Sequence, residues 1–155
     1  DPGTGDVRII DYVAVEDVGR IVNPITLHGQ CVGSIVQGLG GAILEQFNYD
    51  GDGQLLTGSF ADYLMPTATD FPSIHVVALE EHPCPNNPMG AKGAGEGGII
   101  PTGGLIANAV ADALAQFDIQ PMALPLSPIA IWRLLKDQRR TASSWGYKLL
   151  PSHEG

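Results

Sequence analysis

Nine consecutive residues, Gly90-Ala91-Lys92-Gly93-Ala94-Gly95-Glu96-Gly97-Gly98, hold five glycines and a single carboxylate. Glycine presents its N–H with no Cβ in the way, so such a run lets backbone come close to another surface. A carboxylate in a dry, glycine-walled spot suits a general base, because burial raises its pKa toward the working pH. The same composition also reads as a flexible glycine loop that carries a solvated Glu96. A second candidate is the pair of amides Gln30 and Gln37, which fall in a helical stretch with Gly29, Gly33, Gly38, Gly40 and Gly41. Each glycine inside a helix costs roughly 1 kcal/mol relative to alanine. Five of them point to close approach by another backbone or a ligand. Tight helix packing accounts for Gly33 and Gly41, but not for the two amides, which need several partners when buried.

Other chemistries fit less well. Gly93 to Gly98 satisfies GxGxxG, yet no strand leads into it and Pro101 interrupts the step to the next helix, so the dinucleotide context is missing. Lys92 is followed by Gly93, not by Ser or Thr, which removes the phosphate-loop reading. Asp50-Gly51-Asp52-Gly53 resembles the start of a calcium loop, but no bidentate Glu follows at the right distance. His28, His75, His82 and His153 are scattered, and no nucleophile has a matched base. No protein-held metal site is expected.

The elements that must position the loop are legible as local patterns. Asp1 to Asp6 reads as a turn. Val7 to Val15 reads as a strand with Val7, Ile9, Tyr12 and Val13 set against Arg8, Asp11 and Glu16. A strand that leaves a turn directly predicts a pairing partner on sequence before Asp1. Asn23-Pro24 starts a helix, with Asn as N-cap and Pro in the first turn. That helix is expected from Pro24 to Gln46, with Leu27, Cys31, Ile35, Leu39 and Ile43 on its apolar face. Phe47 to Leu56 reads as a hairpin about Asp50-Gly51-Asp52-Gly53. Ser59 to Leu64 and Ser73 to Glu80 read as further strands, the second buried on both faces. The prolines of residues 82–88 stiffen the approach to the glycine loop. Thr102 is expected to cap a helix from Gly103 to Phe117, and Pro128 to Asp137 forms a last helix. The fold class is α+β, a mixed sheet with two main packing helices, over residues 1–138. Residues 139–155 lose periodicity and read as a loose tail.

The chain has 155 residues and a net charge of −9, and its eight Lys and Arg form no stripe, which argues against nucleic acid. Cys31 and Cys84 cannot build a disulfide framework and suit a reducing compartment. No apolar run approaches a membrane span and the start is no signal peptide, so a cytoplasmic location is expected.

Asp17-Val18-Gly19-Arg20-Ile21-Val22-Asn23-Pro24, then Gly29-Gln30-Cys31-Val32-Gly33, then the Gly90 to Glu96 loop and Asn108 to Ala113 stand in a fixed order. In that order they resemble the molybdopterin-binding large subunit of the xanthine oxidase family of molybdenum hydroxylases, over about Asp1 to Leu135. Pro88-Met89-Gly90-Ala91-Lys92-Gly93 is most similar to its carbon monoxide dehydrogenase, aldehyde and N-heterocycle hydroxylase branch. Family large subunits are several times longer, so the resemblance implies a C-terminal lobe of the molybdopterin-binding domain. It further implies that Gln30 contacts the cofactor and that Lys92, Gly93, Ala94 and Gly95 offer backbone N–H groups to it. Lys92 could equally be an ion-pair partner. Glu96 would be the active-site base that accepts a proton during oxidative hydroxylation of an aldehyde, N-heterocycle or similar small substrate, or in CO oxidation. The implied cofactor is molybdopterin with molybdenum, including its cytosine dinucleotide form. Iron–sulfur clusters and FAD would lie on partner subunits or domains. The implied partners are the remainder of the large subunit, the iron–sulfur and flavin subunits, and a small-molecule substrate. The alternative is an excised or remnant domain that binds no cofactor and acts as an interaction module.

Overall fold

The computed structural model describes residues 1–144, with side chains described as far as 138. It is an α+β arrangement in which three helices pack beside a two-stranded parallel sheet. Strand β1 (Tyr12–Asp17) runs parallel to β2 (Ile74–Leu79), with Tyr12 opposite Ile74 and Asp17 opposite Leu79. A parallel pair needs a long crossover, and helix α1 (Pro24–Leu39) lies within it. The remaining helices are α2 (Thr102–Ala113) and α3 (Pro128–Ser144).

Asn23 starts α1 as its residue type predicts: the side-chain oxygen accepts from the N–H groups of Ile25 and Thr26 at 3.0 and 3.2 Å. The predicted apolar face is real, with Cys31, Ile35 and Leu39 fully buried and Ile43 nearly so. The α-helix stops at Leu39, however, short of the expected Gln46. A π turn, Gly40–Leu44, follows, closed by Glu45 N–H donating to Gly40 O at 2.8 Å. Gly40 lies against Pro66 and the Glu45 carboxyl, where a side chain has no room.

The glycine pattern of α1 also differs from expectation. A Cβ at Gly33 or Gly41 would meet nothing within 4 Å, so packing does not explain them. The close approach is at Gly38, whose missing Cβ makes space for Thr102 of α2. Gln30 and Gln37 are exposed, not buried.

β1 is shifted against the predicted strand. Val7 and Ile9 are extended and pack on the core without strand pairing. Tyr12, Ala14 and Glu16 point inward and Val13 and Val15 point out, so Glu16 lies on the face opposite to the one expected. The strict two-residue period of a strand allows no other arrangement once Tyr12 is buried. Among the described residues the pairing partner of β1 is β2, and the sheet is parallel instead of mixed. Residues Ser59 to Leu64 form turns, not a strand, around a Ser59–Asp62 side-chain bond of 2.7 Å. The Phe47 to Leu56 hairpin is reduced to one bridge, Tyr49 with Leu55. There the Asp50 carboxylate accepts from Asp52 and Gln54 N–H.

The core gathers Tyr12, Ile35, Leu39, Ile106, Val110, Ile119, Leu126, Ile131 and Leu135. Helix α2 ends at Ala113 and a short 3₁₀ turn, Ala115–Phe117, completes the predicted length. Thr102 does not cap it. It is fully buried, its hydroxyl donating to Gly98 O at 2.6 Å and lying 3.0 Å from the Tyr12 hydroxyl. Helix α3 continues through Ser144, and the rest of the expected tail lies outside the described residues.

Candidate functional site

The end of β1 and the start of the glycine loop are zipped together. Arg20 N–H donates to Gly90 O at 3.0 Å, Lys92 N–H donates to Val18 O at 2.9 Å, and Gly19 bridges Ala91 in antiparallel sense. Gly19 has φ +59° and its Cα lies against Gly90 O, a position no side chain tolerates. Asp17 anchors the seam. One oxygen accepts from Gly19 N–H at 3.0 Å and the other takes the Lys92 ammonium at 2.8 Å. The Lys92 hydrogen bond, then the Gly19 N–H, hold the Asp17 carboxyl below its ordinary pKa.

The proline-rich approach holds the loop from its other side. Cys84 N–H donates to Gly90 O at 2.8 Å, and the Asn87 amide donates to Ala91 O at 2.9 Å. The loop then crosses the exposed flank of α1. There Gln30 Nε2 donates to Gly95 O at 3.0 Å, joining residues 65 apart in sequence. Beyond Gly95 the chain turns, with Glu96 O accepting from Ile99 and Ile100 N–H, and enters α2 through the buried Gly98–Thr102 bond.

A cleft of about 420 Å³ lies between these parts, with Arg20, Asn23 and Gln30 on one wall and Lys92, Ala94 and Gly95 on the other. The structure therefore brings Gln30, Lys92, Ala94 and Gly95 to one cavity, with Gly93 between them in the same loop and Glu96 one residue beyond its rim. A Cβ at Gly93 or Gly95 would meet nothing within 4 Å. Contacts within the chain thus leave the absence of side chains at these two positions unexplained. Glu96 is exposed, as the reading of a solvated carboxylate on a glycine loop has it and unlike the dry setting of the alternative reading. The flanking glycines that permit close approach have no side chains with which to cover it.

Three contributors were not singled out by sequence reasoning. Arg20 adds a cation to the cleft and sits inside the Asp17 to Pro24 motif, which was its only signal. Thr102 looked like a cap and instead ties the loop to the core. Glu16 lies beneath Gly97, and the inward alternation Tyr12, Ala14, Glu16 could have revealed it. Among the described residues no group of three or more His, Cys, Asp or Glu could hold a metal ion, and no helix is long and apolar enough to cross a membrane.

A parallel crossover contains a capped helix, and the glycine loop is laid along that helix. Residues 1–72 match the molybdopterin cofactor-binding domain family. The 6-hydroxypseudooxynicotine dehydrogenase complex subunit gamma of Paenarthrobacter nicotinovorans is 45% identical over 132 residues, 85% of this chain and 16% of that protein. The carbon monoxide dehydrogenase large chain of Hydrogenophaga pseudoflava is 33% identical over 143 residues, 88% of this chain and 17% of that protein. The crystal structure of quinoline 2-oxidoreductase from Pseudomonas putida 86 superposes with a TM-score of 0.80 at 40% identity, covering 84% of this chain and 16% of that one. The chain belongs to the molybdopterin-binding large subunits of the xanthine oxidase family, and it spans about a sixth of the length of the relatives it matches.

Proposed function

We propose that this chain supplies one wall of the molybdopterin site and the general base of a molybdenum-dependent hydroxylase. One observation supports the reading: the Gln30–Gly95 hydrogen bond joins the helix amide to the open glycine backbone at one cleft, and Glu96 follows Gly95 just outside its lining. The residues fit the group. A pterin with a phosphate tail needs amide donors and unobstructed backbone N–H groups, and Gly93 and Gly95 are unobstructed. Gln30 binds Gly95 O through one N–H, which leaves the second N–H and the amide oxygen for the cofactor. Arg20 adds a positive charge on the same wall for its phosphate. Lys92 supports the loop through Asp17 and offers its backbone neighbours, not its ammonium, to the cleft.

When bound, the cofactor supplies the metal that takes up the reducing equivalents of substrate oxidation, which pass on to iron–sulfur clusters and FAD of partner subunits. Glu96 accepts the proton from the attacking oxygen. Glu96 is exposed in this chain, and on this reading the walls that dry it come from the remainder of the large subunit. The names of two relatives, acting on 6-hydroxypseudooxynicotine and on quinoline, favour an N-heteroaromatic or related substrate over a simple aldehyde.

The test uses the complete enzyme. Glu96→Gln keeps the size of the side chain and removes the proton acceptor, so turnover should fall by about 10²–10⁴-fold or more with molybdenum content unchanged. Near-normal turnover at full molybdenum content would refute the catalytic role.

A further inference from the structure

Glu16 occupies the third inward position of β1, after Tyr12 and Ala14, where an apolar side chain would ordinarily pack. Its Oε1 is buried and accepts no hydrogen bond among the described residues. Oε2 receives the Cys31 thiol at 3.7 Å and lies against the Cα of Gly97, so a Cβ at that position would overlap it. Burial, and then the charge of Glu16, push the Cys31 thiol up, which keeps Cys31 a donor toward this carboxylate. Lys92 is engaged by Asp17, and no cation among the described residues stands within ion-pair distance of Glu16. An unmatched buried carboxyl oxygen carries a desolvation cost. A buried polar atom without a partner is uncommon and calls for a physical explanation.

The loop is held at Gly95 by Gln30 and at Gly98 by Thr102. Between these two ties only Glu96 and Gly97 remain, and Gly97 is where the Glu16 carboxyl makes contact. We propose that Glu16 is a positioning residue for Glu96: its carboxyl supports the loop at Gly97 from the inner face of β1 and fixes the direction in which Glu96 leaves it. The inference rests on the reading of Glu96 as base. Its physical content is simple. Gly95 and Gly97 on either side of Glu96 have wide backbone freedom, and a misplacement of about 1 Å at a reacting group costs on the order of 10²-fold in rate.

The experiment uses the complete holoenzyme with Glu16→Ala, Glu16→Gln and Gly97→Ala. It reads kcat, KM, molybdenum content and hydrogen exchange of the amides at 95–98. Glu16→Ala should lower kcat by about 10²-fold with KM and molybdenum content unchanged, and should speed exchange at 95–98. Glu16→Gln, which keeps shape and one acceptor oxygen, should restore most of the rate. Gly97→Ala puts a methyl where the carboxyl lies; it should reproduce the loss, and add little in the Glu16→Ala background. Wild-type kcat and exchange in Glu16→Ala would overturn the proposal. So would a loss of kcat that Glu16→Gln does not restore. If Glu16→Ala fails to fold, Gly97→Ala decides alone, since normal kcat and exchange in it also overturn the proposal. The exchange readout does not depend on the chemistry. Loosened amides alongside an active Glu96→Gln enzyme would defeat the base assignment and leave the support by Glu16 standing.

Discussion

The Lys92 ammonium pairs with Asp17 at 2.8 Å, the ion-pair role that its sequence position allowed, while Lys92 also lines the cleft. The pair is one-third exposed on each side, so it contributes geometry more than stability. It joins residues 75 apart and closes the seam between β1 and the loop. Because the folded-state pKa of Asp17 is depressed, its contribution is present above the unfolded value of about 3.9 and is lost as pH falls through the folded pKa. Asp17→Asn should therefore lower thermal stability slightly at neutral pH, and the difference from the native chain should vanish in acid. Unfolding curves between neutral pH and pH ~3 check this; a difference that grew on acidification would contradict it. Gln30 and Gln37 make a second contrast at this scale. Both are exposed amides on α1, but only Gln30 reaches the loop and lines the cleft. In the complete enzyme Gln30→Ala should retain less molybdenum than Gln37→Ala, as measured by metal analysis. Equal contents would remove Gln30 from the cofactor site.

Helix α1 is the element on which the site is assembled, and its ends and glycines have separable jobs. Asn23 satisfies two N–H groups at the start of the helix and also stands in the cleft wall. Asn23→Ala should cost about 1 kcal/mol of stability. The glycines divide by what faces them. At Gly38 an added methyl would press on Thr102, itself fully buried and tied to Tyr12 and Gly98. Gly38→Ala should destabilise by about 1–3 kcal/mol, the usual range for overpacking. Gly33 faces open space, so Gly33→Ala should raise stability by about 0.5–1 kcal/mol through helix propensity. Chemical denaturation of the two variants side by side tests the pair of opposite signs. The Thr102 hydroxyl links the start of α2 to Gly98, two residues beyond Glu96.

At the scale of the whole molecule, the sheet is conspicuously open. Parallel strands ordinarily have both faces covered, yet Val13, Val15 and Val77 on the outer face are 58, 62 and 48% exposed. A second apolar groove of about 640 Å³ runs between the Val7 to Tyr12 segment, α2 and α3, lined by Ile106, Leu114, Phe117 and Leu135. Surfaces of this kind are interaction sites or aggregation liabilities. Produced without the rest of a large subunit, the chain should self-associate with rising concentration, and Val15→Thr with Val77→Thr should reduce this. Light scattering across a dilution series measures it; a monodisperse monomer at high concentration would show that the open face is harmless.

Features determined by residues close in sequence were legible without coordinates. Asn23-Pro24 declares the start of α1, the four-residue spacing of Cys31, Ile35 and Leu39 declares its buried face, and the glycine run with its single acid declares the loop. Capping, helical periodicity and glycine's lack of a Cβ act within a few residues, so the sequence carries them directly. The ordered motifs were enough to indicate the family. What the tertiary structure decided is where distant segments meet. β1 slides to Tyr12–Asp17 and pairs with β2, and the two-residue period then turns Glu16 inward beneath Gly97. The π turn after Leu39, the Gln30–Gly95 bond and the Tyr12–Thr102 contact across 90 residues arise in the same way. A strand displaced by one residue exchanges its two faces entirely, and local composition is nearly indifferent to that choice. Only the packing of Tyr12 against the helices settles it, and with it which carboxylate stands in the open and which stands under the loop.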